Sequence, residues 1–566
     1  NTNTLTWKDK VKKHNYDVML AHEVSFRSSE YLLGEAMDFP FDNLGNNNLG
    51  LGATPSKVNS NYYDKTLLSF FARANYNYDN RYLLTATVRT DGSTVFSNKN
   101  KWGFFPSFSA AWRVSEEAFM KDLKWLSNFK VRFGWGIVGN DRISNYLSMD
   151  LYTDSKYGMG NSTVTVLTPK QLKNSNLKWE GSSSVNLGLD LGFFDNRLNV
   201  TADFFIKNTK DLLLAQSLAQ ATGFTSQWQN IGKIQNKGIE LSITSTNIQT
   251  KEFTWNTNFN ISFIRNELKA LADGASHMYA RSGFDSNFTG YDYIAKVGES
   301  LGLIYGYEFD GIYQYDDFYT DTNGNLVLKP GITNNTRYNT GEKGAQNGAV
   351  PGAVKYKDQD GDGDITTNDR TVIGNAMPKH TGGFNINADY KGIDFGVQFN
   401  WSYGNDILNA NKIDNTTYAG SKKYQNLSSD MALDKRFTTI DPETGYNIMY
   451  GEYANPARLQ EINQNATIWH PLMNSTVMTD YAIEDGSFLR LSNLTIGYTL
   501  PKAWTKKFLV EKLRVYFTGY NLHCWTKYSG QDPEVDTRRS TPLTPGVDYS
   551  AYPKAHSFLF GINLTL

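Results

Sequence analysis

One stretch of this sequence has residues whose types and spacing suit a metal ion. Residues 358–369 read DQDGDGDITTND, with acids at positions 1, 3, 5 and 12, glycine at position 6 and an apolar residue at position 8. Ca²⁺ takes about six to eight oxygen ligands, and this is the spacing of a calcium-binding loop. We therefore predict a Ca²⁺ site with the following ligands: Asp358, Asp360, Asp362, Asp364 through its backbone carbonyl, and Asp369.

Details of this calcium loop, residues 358–369, decide how the site would work. Gly363 permits the sharp turn that gathers the carboxylates, and Thr366 would act through a water molecule. Asp369 replaces the usual glutamate, whose longer side chain closes the site with both oxygens. No apolar helix pattern flanks the loop, so we expect a structural ion that staples the long loop 266–379. The alternative is an acidic turn that binds no metal.

Other chemistries find little support. The seven histidines include no HExxH pair, and no glycine-rich phosphate loop is present. The one cysteine, Cys524, cannot form an internal disulfide. A net charge of −1 provides no basic surface for nucleic acid. We predict that the protein is not an enzyme and does not bind nucleic acid.

The segments that would position the calcium loop alternate apolar and polar residues with period two. Ile393, Phe395, Val397, Phe399 and Trp401 are separated by residues that are mostly polar or small. Similar alternation occurs in 198–207, 255–263, 384–390 and 558–566. Such alternation indicates β-strands with one apolar and one polar face.

Two architectures fit these strands. In a soluble sandwich the apolar faces point inward, whereas in a membrane barrel they point outward to lipid. Many segments here run ten or more residues, which favours the barrel, because membrane-spanning strands need about 9–11 residues. We predict an all-β, transmembrane antiparallel β-barrel.

The lengths of the connections favour the same architecture. Tight turns are predicted at 77–80, 195–196 and 391–392, whereas the turns at 115–127 and 501–511 are longer than usual. The predicted long loops lie near 32–62, 140–177, 213–232, 266–379, 406–485 and 524–553. Short periplasmic turns that alternate with long extracellular loops are typical of outer-membrane barrels.

The pattern predicts about 15 strands. They fall near 3–9, 16–31, 65–78, 81–91, 103–114, 128–139, 178–192, 196–212, 234–246, 252–265, 380–390, 393–405, 486–500, 512–523 and 554–566. Bacterial single-chain barrels normally have an even number of strands. The odd count and the start at Asn1 lead us to expect the C-terminal portion of a larger barrel.

A series of short blocks resembles one family. In order they are SFFARANY at 69–76, RYLLTATVRTDGS at 81–93, FPSFSAAWR at 105–113, NIG at 230–232, NKGIE at 236–240, DGSFLRL at 485–491, NL at 521–522, YSG at 528–530 and DPE at 532–534. Each block alone is weak, but together they resemble the barrel of the SusC/RagA family of TonB-dependent outer-membrane transporters from Bacteroidetes.

The resemblance implies a barrel of 22 strands, of which about 15 C-terminal strands are present here, with the plug domain absent from this sequence. It also implies import of an oligomeric nutrient, an oligosaccharide or an oligopeptide, powered by the TonB complex through the missing N-terminal region. A SusD-like surface lipoprotein would act as a lid, in a dimer of transporter–lid pairs within the lipid bilayer. Oligosaccharide is our first expectation and peptide import the alternative. A non-transporting surface glycan-binding β protein is an alternative of another class.

Aromatic residues in the predicted loops have two interpretations. They could stack on sugar rings, since aromatic faces suit the apolar side of a pyranose, or they could pack the loops. The residues concerned are Trp228, Tyr305, Tyr307, Tyr313, Trp469 and Trp525.

Overall fold

The structure is a computed structural model. It describes the chain except residues 42, 44, 285–289, 323–325, 336–348, 418–425, 472–477 and 539–540, so parts of the predicted loops 266–379, 406–485 and 524–553 lie outside the described residues.

All fifteen predicted strands are present. They are β1 (Thr2–Val11), β2 (His14–Met37), β3 (Thr54–Tyr78), β4 (Tyr82–Ser93), β5 (Trp102–Arg113), β6 (Leu126–Asn140), β7 (Glu180–Phe193), β8 (Leu198–Lys210), β9 (Lys233–Gln249), β10 (Phe253–Ala270), β11 (His380–Tyr390), β12 (Ile393–Tyr403), β13 (Phe488–Thr499), β14 (Lys512–Thr526) and β15 (Ser557–Thr565).

The chain divides into two compact units, Asn1–Lys237 and Gly238–Leu566. In the first, β1 to β8 form an antiparallel meander in which each strand pairs with the next in sequence. In the second, β10 to β15 do the same.

In each unit the longest connections lie at one end of the strands, although 94–101 at that end is shorter than 114–125 and 500–511 at the other. The short-turn ends carry 12–13, 79–81, 114–125 and 194–197 in the first unit, and 250–252, 391–392 and 500–511 in the second. The opposite ends carry 38–53, 94–101, 141–179 and 211–232 in the first unit, and 271–379, 404–487 and 527–556 in the second.

The exposed face of the long strands is the apolar one. In β4, Tyr82, Leu84 and Val88 are exposed, while Thr85 and Thr87 on the other face are half-buried. In β7, Val185 and Leu187 are likewise exposed. A soluble sandwich would bury these faces, so the arrangement is that of a barrel wall whose apolar face meets lipid.

The opposite, inner face carries ion pairs that link neighbouring strands and strands separated by one other strand. Arg132 on β6 donates to Asp190 on β7 at 2.8 and 3.0 Å and to Asp203 on β8 at 3.0 Å. In the second unit, Arg514 on β14 donates to both oxygens of Asp394 on β12. The guanidinium groups therefore bind carboxylates in the bidentate geometry that arginine favours.

The predicted loop near 32–62 is wrong in its extent. The β2–β3 pairing continues to Met37 and Thr54, so that only 38–53 connects the two strands. Pairing between β2 and β3 extends this hairpin past Leu67, where the pairing of β3 with β4 begins. The irregular apolar run around Leu32 and Leu33 hid this extension, because it lacks the alternation of a half-buried strand.

The long connections contain shorter elements. The strands are Tyr152–Met159, Ser162–Pro169, Leu213–Ser217, Ser226–Asn230, His277–Ala280, Tyr293–Lys296, Leu303–Gly306, Phe309–Ile312, Phe318–Thr320, Leu326–Leu328, Val354–Tyr356, Thr371–Asn375, Asp406–Asn409, Ile483–Asp485 and Val547–Asp548. Among the described residues, the connection 404–487 contains the α-helices α1 (Ala410–Asp414) and α2 (Pro456–Asn463), and the connection 500–511 contains α3 (Lys502–Thr505). Within the described residues, no helix has both the length and the apolar character needed to cross a membrane.

Two long loops of the second unit share one hydrophobic core. Tyr313, Val354 and Ile365 from 271–379 pack with Phe437 and Trp469 from 404–487. A second cluster joins Tyr293, Ile304 and Leu408 with Val547 from 527–556. The loop end of this unit is thus a packed layer rather than a set of separate loops.

Candidate functional site

The calcium loop brings three of its acids together. Asp358, Asp360 and Asp362 each offer a carboxylate oxygen, and these oxygens lie within 4.8 Å of one another. Backbone N–H groups hold the cluster, because Gly361 and Gly363 donate to Asp358 at 2.6 and 2.8 Å. The donation from Gly363 contributes most to lowering the pKa of the Asp358 carboxyl below its ordinary value, which favours the charged form.

The two other predicted ligands are placed differently. Asp369 is fully buried, and its carboxylate accepts hydrogen bonds from the N–H groups of Gln359 (2.8 Å) and Thr366 (2.7 Å), which ties the two ends of the loop together. The side chain of Asp364 accepts a long hydrogen bond from Asn334 (3.4 Å). Neither belongs to the three-acid cluster.

The calcium loop is fixed to the packed loop layer. Ile365 is fully buried in the shared core, and its N–H donates to the carbonyl of Asn334 at 2.9 Å. Asn334 in turn donates to the carbonyl of Gly363 at 2.9 Å. The positions of the acids are therefore coupled to a hydrophobic core rather than to an exposed hairpin.

Most of the loop aromatics singled out from the sequence are packing residues. Tyr305, Tyr307, Tyr313 and Trp469 are buried, and Trp228 packs against the first unit's Leu213 cluster. Trp525 is half exposed, but it lies on β14. The packing interpretation is thus confirmed for the four buried residues.

One contact that sequence reasoning missed joins two of the family-like blocks. Arg490 on β13 is 5 % exposed and donates to Asp532 at 2.6 Å, with Glu534 3.5 Å from its Nε atom. Its guanidinium also lies 5.5 Å from the centre of the Phe488 ring. The only signal was the occurrence of DGSFLRL and DPE together, which does not reveal a contact.

A polar recess of about 460 Å³ lies beside this contact on the inner face of the second unit. Its lining includes Asn260, Ser262, Asn400, Asn405 and Glu534. Amide and hydroxyl groups predominate, so the recess can both donate to and accept from a polar ligand.

Residues 298–302, GESLG, have the spacing of a serine-hydrolase nucleophile motif. Here they join two short strands, and no helix follows the serine as that motif requires. The Ser300 hydroxyl lies in hydrogen-bonding range of Asn266 and of the Leu301 carbonyl. The match therefore does not define a nucleophile.

Asp292 is an acid of the loop layer whose pKa is raised by burial. It is fully buried and accepts hydrogen bonds from the N–H of Ser282 (2.8 Å) and from the Ser282 hydroxyl. Burial raises the pKa of its carboxyl to about 6, against an ordinary value of 3.8, although both hydrogen bonds oppose the change.

This raised pKa predicts that the local stability depends on pH. Because the folded carboxyl binds its proton more tightly, the stabilisation is complete below pH 3.8 and is lost as pH rises through about 6. The local opening free energy should fall by about 3 kcal/mol across this window. Hydrogen exchange of peptides covering 290–306, corrected for intrinsic rates, measures it. Asp292→Asn should abolish this pH dependence of the exchange. A variant whose pH profile matched that of the parent would show that Asp292 is not the group responsible.

Long antiparallel strands with exposed apolar faces, ion-paired inner faces and a packed layer of long loops define an outer-membrane β-barrel protein. The family described as "TonB dependent receptor-like, beta-barrel" matches residues 1–522. The chain belongs to this family of TonB-dependent receptors, and it is an outer-membrane protein rather than an enzyme.

Individual relatives agree with this assignment. TonB-dependent receptor P3 of Formosa agariphila is 32 % identical over 566 residues, which cover 99 % of this chain and 52 % of the relative. TonB-dependent receptor SusC of Bacteroides thetaiotaomicron is 31 % identical over 511 residues, covering 88 % and 44 %. The chain thus spans about half the length of the curated relatives it matches.

The fold is shared with a solved structure. The RagAB peptide transporter superposes with a TM-score of 0.75 at 24 % identity, over 100 % of this chain and 55 % of the RagAB chain. The fold expected from the resemblance to the SusC/RagA family is thereby confirmed.

Proposed function

We propose that the protein works in TonB-dependent import of an oligosaccharide across the outer membrane. The observation that supports this cargo class is the chemistry of the inner face, where neutral amides and hydroxyls are prominent and several of the charged groups are paired. Oligosaccharides present hydroxyl groups at every ring, and such groups need matched donors and acceptors rather than a fixed charge.

Uncharged polar residues of this face lie opposite one another on the paired strands β10 and β11. Asn256 pairs with Asn387, and Asn258 pairs with Asn385, so that four amides share the inner face. Asn258 also donates to Thr244 on β9 at 2.8 Å. The polar recess beside Arg490 adds further amides to the same unit.

Two arginines of this face are neutralised by carboxylates within the wall. Arg132 has two carboxylate partners, and Arg514 binds Asp394 through two nitrogen atoms. Charges that are paired in this way offer little to the charged termini of a peptide. This supports oligosaccharide over peptide as the cargo.

The partners follow from the same proposal. A SusD-like surface lipoprotein would close the extracellular end as a lid, resting on the packed loop layer. The TonB complex would act through a region outside this chain, and two transporter–lid pairs would form a dimer. The lipid bilayer contacts the exposed apolar faces of the strands.

Growth of a deletion strain tests the import. Loss of the gene should abolish growth on one class of oligosaccharide at limiting concentration, whereas growth on its monosaccharide and on oligopeptides should be unchanged. Complementation with the full-length gene is the control. Loss of growth on peptides instead would favour the peptide alternative, and no loss on either would contradict import and leave a non-transporting surface glycan-binding protein.

We further propose that the calcium loop binds Ca²⁺ through Asp358, Asp360 and Asp362. The clustering of three oxygens supports this, since carboxylates so close together repel one another without a cation. Asp369 would act by holding the ends of the loop, and its two backbone hydrogen bonds support this role. Bound Ca²⁺ would then stiffen the loop layer through Ile365.

Limited proteolysis tests the calcium proposal. With about 1 mM Ca²⁺, the range of weak extracellular sites, cleavage within 350–375 should slow by roughly tenfold relative to chelator. Asp358→Ala with Asp362→Ala should remove this difference, because two of the three clustered ligands are lost. Glu299→Ala, at an exposed acid of the same loop, is the matched control. Equal cleavage of the parent with Ca²⁺ and with chelator would refute the proposal.

A further inference from the structure

Two connections at the short-turn ends are longer than their neighbours. They are 114–125 between β5 and β6, and 500–511 between β13 and β14. Each exposes large apolar side chains together with lysines. We refer to them as the long turns, and each is considered within its own unit.

The long turn 500–511 exposes its apolar residues most fully. After α3, the chain reverses at Leu509, which has a left-handed backbone (φ 60°). Leu509 is 88 % exposed and Phe508 78 %, and Trp504 is also exposed. Such exposure is unfavourable in water, because removing large apolar side chains from water stabilises a protein.

Lysines surround this apolar group. Lys502, Lys506 and Lys507 are all exposed, and the turn contains one acid, Glu511, which is 3.2 Å from Lys502. Aromatic and aliphatic side chains next to lysines are typical of segments that lie in the headgroup region of a membrane.

The long turn 114–125 continues the lipid-facing surface directly. Its last residue, Trp125, stacks on Phe193 with ring centres 5.9 Å apart and planes 5° apart. Phe193 ends the outer stripe of β7 that includes Leu187 and Leu189. Trp125 and the exposed Phe119 thus extend a surface that family membership places in lipid.

Hydrogen bonds mark the level of the membrane boundary beside this turn. The Glu117 carboxylate accepts from the hydroxyl of Tyr82 (2.7 Å) and from the indole N–H of Trp112 (3.1 Å). Both aromatic rings are exposed on the outer face, while their polar atoms point to the turn. Rings in the apolar layer with polar atoms in the wet layer are the arrangement of an interfacial girdle.

We propose that both long turns insert into the periplasmic leaflet of the outer membrane. Trp504, Phe508 and Leu509 of one turn, and Phe119 and Trp125 of the other, lie at the boundary between headgroups and acyl chains. Their lysines face the lipid phosphates. Short-turn ends are periplasmic in outer-membrane barrels, which identifies the leaflet. This anchoring role is independent of the imported cargo.

Depth-dependent fluorescence quenching tests the proposal in the full-length protein reconstituted into phosphatidylethanolamine–phosphatidylglycerol vesicles. A nitrobenzoxadiazole probe is attached to a single cysteine, either Leu509→Cys or Phe119→Cys, after Cys524 and any other cysteine are replaced by serine. Lys251→Cys, an exposed residue of the short turn 250–252, is the matched control. Quenchers are nitroxide lipid labelled at the fifth acyl carbon and aqueous iodide.

Probes at positions 509 and 119 should be quenched at least twofold more by nitroxide lipid than the probe at 251, and less by iodide. Resistance to heat-induced unfolding on gels verifies that each labelled barrel is folded. Iodide quenching at 509 or 119 as strong as at 251 would show a water-facing turn and overturn the proposal. A probe that neither quencher reaches would show protein contact and overturn it equally.

Discussion

Replacing Arg490 by methionine is expected to release the connection 527–556 from the inner face of the second unit. The change leaves the Asp532 carboxylate, whose side chain is 11 % exposed, without its guanidinium partner. Removing one member of a buried ion pair costs about 3–5 kcal/mol. Hydrogen exchange of peptides covering 527–536 should therefore speed up by more than a hundredfold.

Two variants separate the ion pair from general damage. Asp532→Asn in the Arg490→Met background should restore part of the protection, since no uncompensated carboxylate remains. Arg113→Met removes an exposed pair with Glu116 and should change stability by less than about 1 kcal/mol. Exchange in Arg490→Met that matches the parent would show that this contact does not hold the connection.

Replacing Trp469 by alanine should have the second large effect, on the packed loop layer. Trp469 is 1 % exposed. Its ring packs edge-to-face against the rings of Phe309 and Tyr481, whose centres are 5.7 and 4.9 Å away. Its indole N–H donates to the carbonyl of Thr416 at 3.1 Å. Truncation of a buried tryptophan costs about 3–5 kcal/mol, and protease resistance of both packed loops should fall together.

Graded variants make this prediction specific. Trp469→Phe keeps most of the ring packing and should lose clearly less resistance than Trp469→Ala. Tyr446→Ala removes an exposed ring that stacks on Tyr453 in the same loop, so it should have little effect on the shared core. Loss of resistance in one loop while the other stays intact would argue against a common core.

The long strands were predictable because the residue pattern that identifies them lies within each strand. Alternation over ten or more residues identifies a strand with two unlike faces, and all fifteen were found this way. The sequence also predicted that the apolar face points outward, because the strand length favoured a membrane barrel over a soluble sandwich. Among the long strands the largest miss was the β2–β3 extension, where Leu32 pairs with Ser60. The short strands within the connections, such as Tyr152–Met159, were not predicted either.

The loop layer was not predictable, because its contacts join residues that are distant in sequence and have no periodicity. Nothing around Phe437 indicates that it packs with Ile365, and neither lies in a regular element long enough to show a pattern. The aromatic residues of these loops had two interpretations, and only the observed burial of Tyr307 and Trp469 separated them.

The candidate site was predictable in part. The spacing of the calcium loop predicted that Asp358, Asp360 and Asp362 would approach one another, because a short loop with Gly363 at its turn leaves them few alternatives. It did not predict that Asp369 would be fully buried against Gln359 and Thr366. That placement depends on the core beneath the loop.

The shared core of the loop layer has a consequence for the exchange of loop segments between relatives. Residues 271–379 and 404–487 each contribute side chains to the same hydrophobic core. We therefore expect that neither segment folds without the other. A chimaera that exchanges one of them would meet a foreign partner at Trp469 or Val354. Recombination, in the laboratory or in evolution, is therefore expected to succeed when both segments are inherited as one block.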